Sequence, residues 1–223
     1  MSTWQTAIAE MGLTYSPVGL RLVDEFTNEE PLGKTSAYLD IREANGVWHP
    51  TDIPATKTPS NVVAYPGLGR TSDVTVVTSR HYRVRITAEL YVPLYQATVD
   101  GIEFDAPAFN EGNPLPKAKI TFLPQDLYLM PATNYPFQGH VPVLWGIVKD
   151  AAGKPVQNVM VTQGGGIERV VTDSRGAFGL PLRWAAQNVP IHIDATDNRT
   201  NRIGHILVTL PGDLASSHTI QIN

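Results

Sequence analysis

The chain contains no cysteine. That excludes disulfides, thiolate metal sites and a cysteine nucleophile. It contains no run near eighteen apolar residues, so nothing in it is expected to span or insert into a membrane. Residues 1–13 carry neither a basic start nor a long apolar stretch. No secretory signal is expected, and the chain is expected to be made and folded in the cytoplasm. Charge of one sign is scarce: 17 basic and 21 acidic residues give a net charge of -4 without long runs. No basic stripe marks a nucleic-acid surface. No Gly-x-Ser-x-Gly elbow is present, and Gly164-Gly165-Gly166 lacks the lysine and the helix of a phosphate loop. Gly67-Leu68-Gly69-Arg70 fails the dinucleotide pattern for the same reason. No cofactor is expected.

What the chain has in quantity is turn formers, with 18 proline and 18 glycine in 223 residues. Such a composition suits many short strands. Trp4, Ala7, Ile8 and Met11 recur at helical spacing and predict one short amphipathic helix in residues 1–13. Alone it is marginal, so its apolar stripe packs on its own domain or docks on a partner. Beyond it the period becomes two. In residues 82–90, Tyr82, Val84, Ile86, Ala88 and Leu90 share one face while Arg83, Arg85, Thr87 and Glu89 share the other. Further strands are expected at 18–26, 35–41, 62–65, 96–104 and 119–123. The Asp100-Gly101 pair reads as a hairpin between strands. Residues 14–123 are thus read as a first sandwich with a loop insertion over 53–61. Residues 124–140, with Pro124, Pro131 and Pro136, are read as a surface linker. Seven strands are expected in 141–223, at 141–149, 159–162, 168–172, 177–182, 190–196, 204–209 and 218–222.

The run from Gly146 to Val156 ends in Gly153-Lys154-Pro155-Val156. It is followed by Val159-Met160-Val161 and by Val171-Thr172-Asp173-Ser174-Arg175-Gly176-Ala177-Phe178. This half resembles the carboxypeptidase regulatory-like family, a transthyretin-like sandwich. The resemblance implies two tight turns, one at Asp150–Gly153 and one at Asp173–Gly176, with Phe178 in the core. These residues have structural jobs and imply no catalysis. The first half reads as a diverged copy: residues 22–32 parallel 147–156, Thr51-Asp52 parallels Thr172-Asp173, and 82–90 parallels 189–196. The fold class expected is all-β: two tandem immunoglobulin-like or transthyretin-like Greek-key sandwiches with a short N-terminal helix.

His192, Asp194, Asp197 and His205 are the one candidate metal constellation. His192 and Asp194 share a strand face, but that face is the solvated one, so no metal is expected. Trp145, alternating with Val143 and Ile147, is expected in the core; Trp48, beside Asn45-Gly46, is expected at the surface. The functional expectation is a non-enzymatic structural or adaptor component. The residues expected to meet a partner are Trp4, Ile8, Met11, Lys57 and Trp48, with the loops from Ile53 to Asp73. Partners are expected to be other protein subunits, in a symmetric ring or homo-oligomer. The helix together with the stretches from Thr58 to Arg70 and around Pro93 also resembles accessory proteins of phage tails, baseplates and contractile injection machines. That resemblance implies incorporation into a virion or tail-like particle. A carbohydrate- or receptor-binding sandwich, using exposed aromatics on a glycan, is the alternative.

Overall fold

The computed structural model describes residues 15–73, 75–76, 78–110, 112–115, 123–164 and 168–223. The helix expected in residues 1–13 lies outside them, as do residues 119–122 of the strand expected at 119–123. The described chain is all-β, with its strands in two successive sandwiches.

The first sandwich comprises β1 (Gly19–Asp24), β2 (Thr35–Arg42), β3 (Trp48–Pro50), β4 (Thr56–Lys57), β5 (Val62–Ala64), β6 (Arg80–Ala88), β7 (Tyr91–Pro93), β8 (Ile102–Ala106) and β9 (Gln125–Pro131). One sheet has the order β4-β5-β1-β9-β7, the other β3-β2-β6-β8. Alternation decides the faces. Leu20, Leu22, Val63, Leu127 and Leu129 from one sheet meet Leu39, Tyr82, Val84 and Ile86 from the other. The intervening outward positions on β6 are His81, Arg83 and Arg85, so the expected two-faced strand is present two residues earlier than read.

The second sandwich comprises β10 (Val143–Lys149), β11 (Met160–Gln163), β12 (Arg169–Val171), β13 (Ala177–Pro181), β14 (Pro190–Asp197), β15 (Arg202–Thr209) and β16 (His218–Gln221). Its sheets run β13-β10-β16 and β12-β11-β14-β15. All seven expected strands are present within two residues at either end. The β10–β16 pair is parallel, the others antiparallel.

The two halves share a seven-strand topology, to which the first adds β4 and β7 at the sheet edges. The opening strand of each pairs antiparallel with a middle strand (β1 with β5, β10 with β13) and parallel with the closing strand (β1 with β9, β10 with β16). The opposite sheets, β3-β2-β6-β8 and β12-β11-β14-β15, correspond strand for strand. Two turns repeat as well. Asp24 Oδ1 accepts from Phe26 N at 2.8 Å, and Asp150 Oδ1 accepts from Ala152 N at 3.0 Å. The second turn corrects the sequence alignment. Asp173 Oδ1 accepts from Ala177 N, and Gly176 N donates to Asp173 O. In the first half Thr58 Oγ1 accepts from Val62 N, and Asn61 N donates to Thr58 O. Thr58–Asn61, not Thr51-Asp52, is therefore the partner of Asp173–Gly176. Asn61 and Gly176 both take positive φ, 61° and 71°, which is why asparagine and glycine serve there.

Three expectations need correction. Residues 124–140 are not a surface linker: Gln125–Pro131 is β9, pairing parallel with β1 and antiparallel with β7. Its prolines stand at or just outside the strand ends, where a missing N–H is tolerated. Tyr135 and Phe137, further along, pack into the first core. Residues 96–104 are not one strand: a 3₁₀ turn over Leu94–Ala97 precedes β8, which pairs with β6, so Asp100-Gly101 is no hairpin tip. Trp145 is not core. Leu144, Gly146 and Val148 face inward, and Trp145 is 38% exposed. A Cβ on Gly146 would stand 2.5 Å from the Phe178 ring, so that ring fills the inward position glycine leaves empty.

The sandwiches abut. Tyr128 and Met130 of β9, with Val92, Leu94 and Ala97, pack on Met160 and Val171 of the second half. Around this apolar contact stand three arginines of the second sandwich. Arg199 donates to the Gln96 and Val99 carbonyls and to Asp100. Arg183 donates to the Phe26 carbonyl and lies 4.1 Å over its ring. Arg169 pairs with Glu25 at 2.9 Å.

Candidate functional site

Of the residues expected to meet a partner, Trp4, Ile8 and Met11 lie outside the described residues. Lys57 is exposed on β4, at the edge of its sheet, and its Nζ donates to Thr35 Oγ1 at 3.1 Å. It lines a cleft of about 320 Å³ with Thr35, Ser36 and Pro54. The loop insertion expected at 53–61 is thus partly strand.

Trp48 belongs to β3, not to a turn, and points to the outer face of the sheet β3-β2-β6-β8. It is half-buried because charged side chains pack on it. The Arg83 guanidinium lies 4.6 Å from its ring centroid and the His81 ring 5.5 Å. Beneath this layer Asp40 is 2% exposed. It receives Arg83 Nη2 at 2.7 Å and Arg85 Nε at 2.7 Å. Burial disfavours its charged form, but the hydrogen bonds from Arg85 and Arg83 outweigh that and hold the carboxyl below its ordinary range. His81 Nε2 meets Glu103 at 2.9 Å and Nδ1 meets Asp105 at 2.8 Å. The Glu103 and Asp105 contacts raise its pKa, so the imidazolium is favoured. Asp40, Arg83, Arg85 and His81 on this face each meet an opposite charge within the chain, while Arg42 lies 5.8 Å over the Trp48 ring.

A different cleft, of about 320 Å³, opens at the end of the first sandwich. Its walls come from the stretch Pro66–Thr71, from Val76 and Thr78, and from the starts or ends of β6 and β8 at Arg80 and Ala106. Two arginines, Arg70 and Arg80, line it, and no aspartate or glutamate does among the described residues. Of the loops from Ile53 to Asp73, Ile53 and Pro66–Thr71 line this cleft.

The fold keeps three of the four candidate metal residues on one sheet face and turns the fourth away. Asp194 faces His205 across β14–β15, and the His192 and His205 rings are 6.3 Å apart. Asp197 turns to the other face. It accepts from Thr200 Oγ1 at 2.5 Å and Arg202 Nη2 at 2.8 Å. Burial opposes its ionisation, yet these partners hold its carboxyl below the ordinary range. Among the described residues no group of three or more histidine, aspartate or glutamate side chains is disposed to hold a metal.

No family model matches the chain. No curated protein matches it either. Solved structures give low-scoring superpositions. The Bacillus anthracis TIE protein aligns over 94% of this chain and 34% of its own, at 12% identity and a TM-score of 0.27. This chain thus spans about a third of that protein. BcpA, the major pilin subunit of Bacillus cereus, aligns over 92% and 68%, at 10% identity and a TM-score of 0.29. A C-terminal fragment of the pilus adhesin SpaC from Lactobacillus rhamnosus GG aligns over 92% and 96%, at 12% identity and a TM-score of 0.21. Superpositions of that quality establish neither a shared fold nor a shared role.

Sequence reasoning missed the arginine-rich seam between the sandwiches. Arg169, Arg183 and Arg199 sit on separate strands or turns of the second half, and their acceptors are largely main-chain carbonyls of the first. No spacing in the sequence signals such pairs. It also missed Asp24, which is fully buried and accepts from Tyr135 Oη at 2.7 Å and Tyr91 Oη at 3.1 Å. A lone aspartate ending an apolar strand, Leu20-Arg21-Leu22-Val23-Asp24, was the available signal.

Proposed function

We propose that this chain is a non-enzymatic structural or adaptor subunit of a multi-protein assembly, of the kind found in phage tails, baseplates and contractile injection particles. In this reading the second sandwich is a carboxypeptidase regulatory-like domain. The observation that carries the proposal is the seam. An apolar patch and three arginines hold two repeats in a fixed relation, which a spacer needs in order to transmit position from one contact to another. The charged face around Trp48 and Asp40, where Asp40 ties Arg83 and Arg85 together, supports a scaffold surface. Partners are other copies or other subunits, with the first sandwich as the contacting half.

The test is incorporation. Two variants, one lacking residues 1–13 and one carrying Lys57→Glu with Trp48→Ala, are compared with the parent in cells that make the whole assembly. Both are expected to keep the parent far-UV CD spectrum and to be lost from sedimented particles. Native mass spectrometry of the purified parent is expected to show a closed homo-oligomer. Normal incorporation of both variants, or a parent that sediments with nothing, overturns the reading.

A further inference from the structure

Most arginines of this chain have an evident structural use. Eight pair with a carboxylate. Arg42 lies over the Trp48 ring. Arg70 and Arg80 have neither kind of partner among the described residues, and both line the same cleft at the end of the first sandwich. In a chain of net charge -4, two unmatched guanidiniums in one concavity are not explained by stability. They make a local positive field where anions are favoured.

The backbone beneath them is ordered. Gly69 takes φ +92°, and a Cβ there would fall 2.3 Å from the Pro107 carbonyl oxygen, so this segment lies flush against the strand leaving β8. Arg70 forms a bridge with Phe109: Phe109 N donates to Gly69 O at 3.0 Å and Thr71 N to Phe109 O at 3.0 Å. Arg80 opens β6. Both guanidiniums thus project from fixed main chain, which lowers the ordering cost of binding. Thr71 and Thr78 bring hydroxyls to the walls, and Ile53, Leu68 and Val76 bring apolar surface.

We propose that this cleft binds the carboxylate of a single sugar-acid residue. Its volume, about 320 Å³, lies at the small end of ligand sites and fits one ring. A docked protein surface would need roughly 800 Å² per partner, which a concavity of this size does not offer. Arginine matches a planar carboxylate in two-point fashion. The threonines and apolar walls match the hydroxyls and the C–H face of a pyranose. This site stands apart from the assembly proposal, which fails on incorporation and not on sugar binding.

The experiment is ligand-observed NMR and calorimetry on the full chain with glucuronate, glucose and inorganic phosphate. Glucuronate is expected to bind with Kd of about 1 mM, and glucose to give no saturable signal. Arg70→Ala and Arg80→Ala are each expected to weaken glucuronate about 10-fold or more. Arg70→Gln and Arg80→Gln, which keep a polar side chain without the charge, are expected to do the same while melting like the parent. Glucuronate bound no better than glucose overturns the site, as does binding that survives both substitutions. Phosphate bound as tightly as glucuronate overturns the assignment to a sugar.

Discussion

Arg199 of the second sandwich grips Asp100 of the first. Its Nη1 donates to Asp100 Oδ1 at 2.7 Å, while Nε and Nη2 reach the Gln96 carbonyl at 3.1 and 2.8 Å. The arginine is itself set in place by Asp197, whose Oδ1 accepts from Arg199 N at 3.1 Å. A hairpin end in one repeat thus reads the main chain of the other.

If that grip fixes the two halves, Arg199→Ala should cost about 1.5–3 kcal/mol, the range for hydrogen bonds to a charged group. Urea unfolding followed by tryptophan fluorescence and by far-UV CD measures it. In the parent the two probes are expected to coincide. In the variant they are expected to separate, because the sandwiches unfold more independently. Coincident curves at unchanged midpoint would show that Arg199 couples nothing.

The Gly146–Phe178 contact predicts an asymmetric pair of substitutions. Phe178, 2% exposed, is the largest side chain buried in the second core, and Phe178→Ala should cost about 3–5 kcal/mol. Gly146→Ala adds only a methyl, yet that methyl meets the Phe178 ring at 2.5 Å and the His218 carbonyl at 2.7 Å. It should cost about 1–3 kcal/mol through overpacking. Chemical denaturation of each variant checks both figures. A Gly146→Ala protein as stable as the parent would refute the inward facing of this row.

Buried phenols predict an alkaline limit. Burial raises Tyr65 to about 12 and Tyr91 to about 12 from an ordinary 10.0, and Tyr135 is pushed up further by burial and by its bond to Asp24. Below pH 10 both folded and unfolded chains keep these protons, and the stability is fully present. Above it the unfolded chain ionises first, so stability falls as pH rises from about 10 through about 12. Unfolding and the phenolate absorbance near 295 nm are expected to rise together. Tyr135→Phe, which removes the 2.7 Å bond to Asp24, should also cost about 1.5–3 kcal/mol at neutral pH. Free titration of all tyrosines at pH 10 in a folded chain would contradict this.

The second sandwich was legible because local chemistry fixes its strand ends. Asp150, Gly153, Asp173 and Gly176 each close a turn by bonding to nearby main chain, and such signals lie within five residues. The first sandwich uses the same turns with other residues, Asn28 and Asn61 at positive φ where the copy has glycine, so the repeat was visible but misaligned. β9 was hidden because its flanking prolines read as linker, while its two faces serve different cores: Leu127 and Leu129 the first, Met130 the seam. Trp145 was misplaced because Gly146 and Gly179 erase the alternation. The Trp145 ring lies over Gly179 on the outer face, and the Phe178 ring lies over Gly146 on the inner one. The arginine cleft takes most of its wall from residues 66–82, but nothing in the spacing of Arg70 and Arg80 marks them as a pair.

The parallel closing strands also set an order of events during synthesis. In the first half Arg21 meets Asp126 at 2.6 Å across 105 residues. β1 cannot find its neighbour until residues 125–131 have left the ribosome tunnel. In the second half β10 waits in the same way for residues 218–221. Each repeat therefore stays open along one side of its first strand for most of its own translation, and closes only as its last strand arrives. A nascent chain paused just before either closing strand presents an unpaired edge to other nascent chains on the same message. The sandwich that finishes first then supplies the Gln96 and Val99 carbonyls on which Arg199 of the second comes to rest.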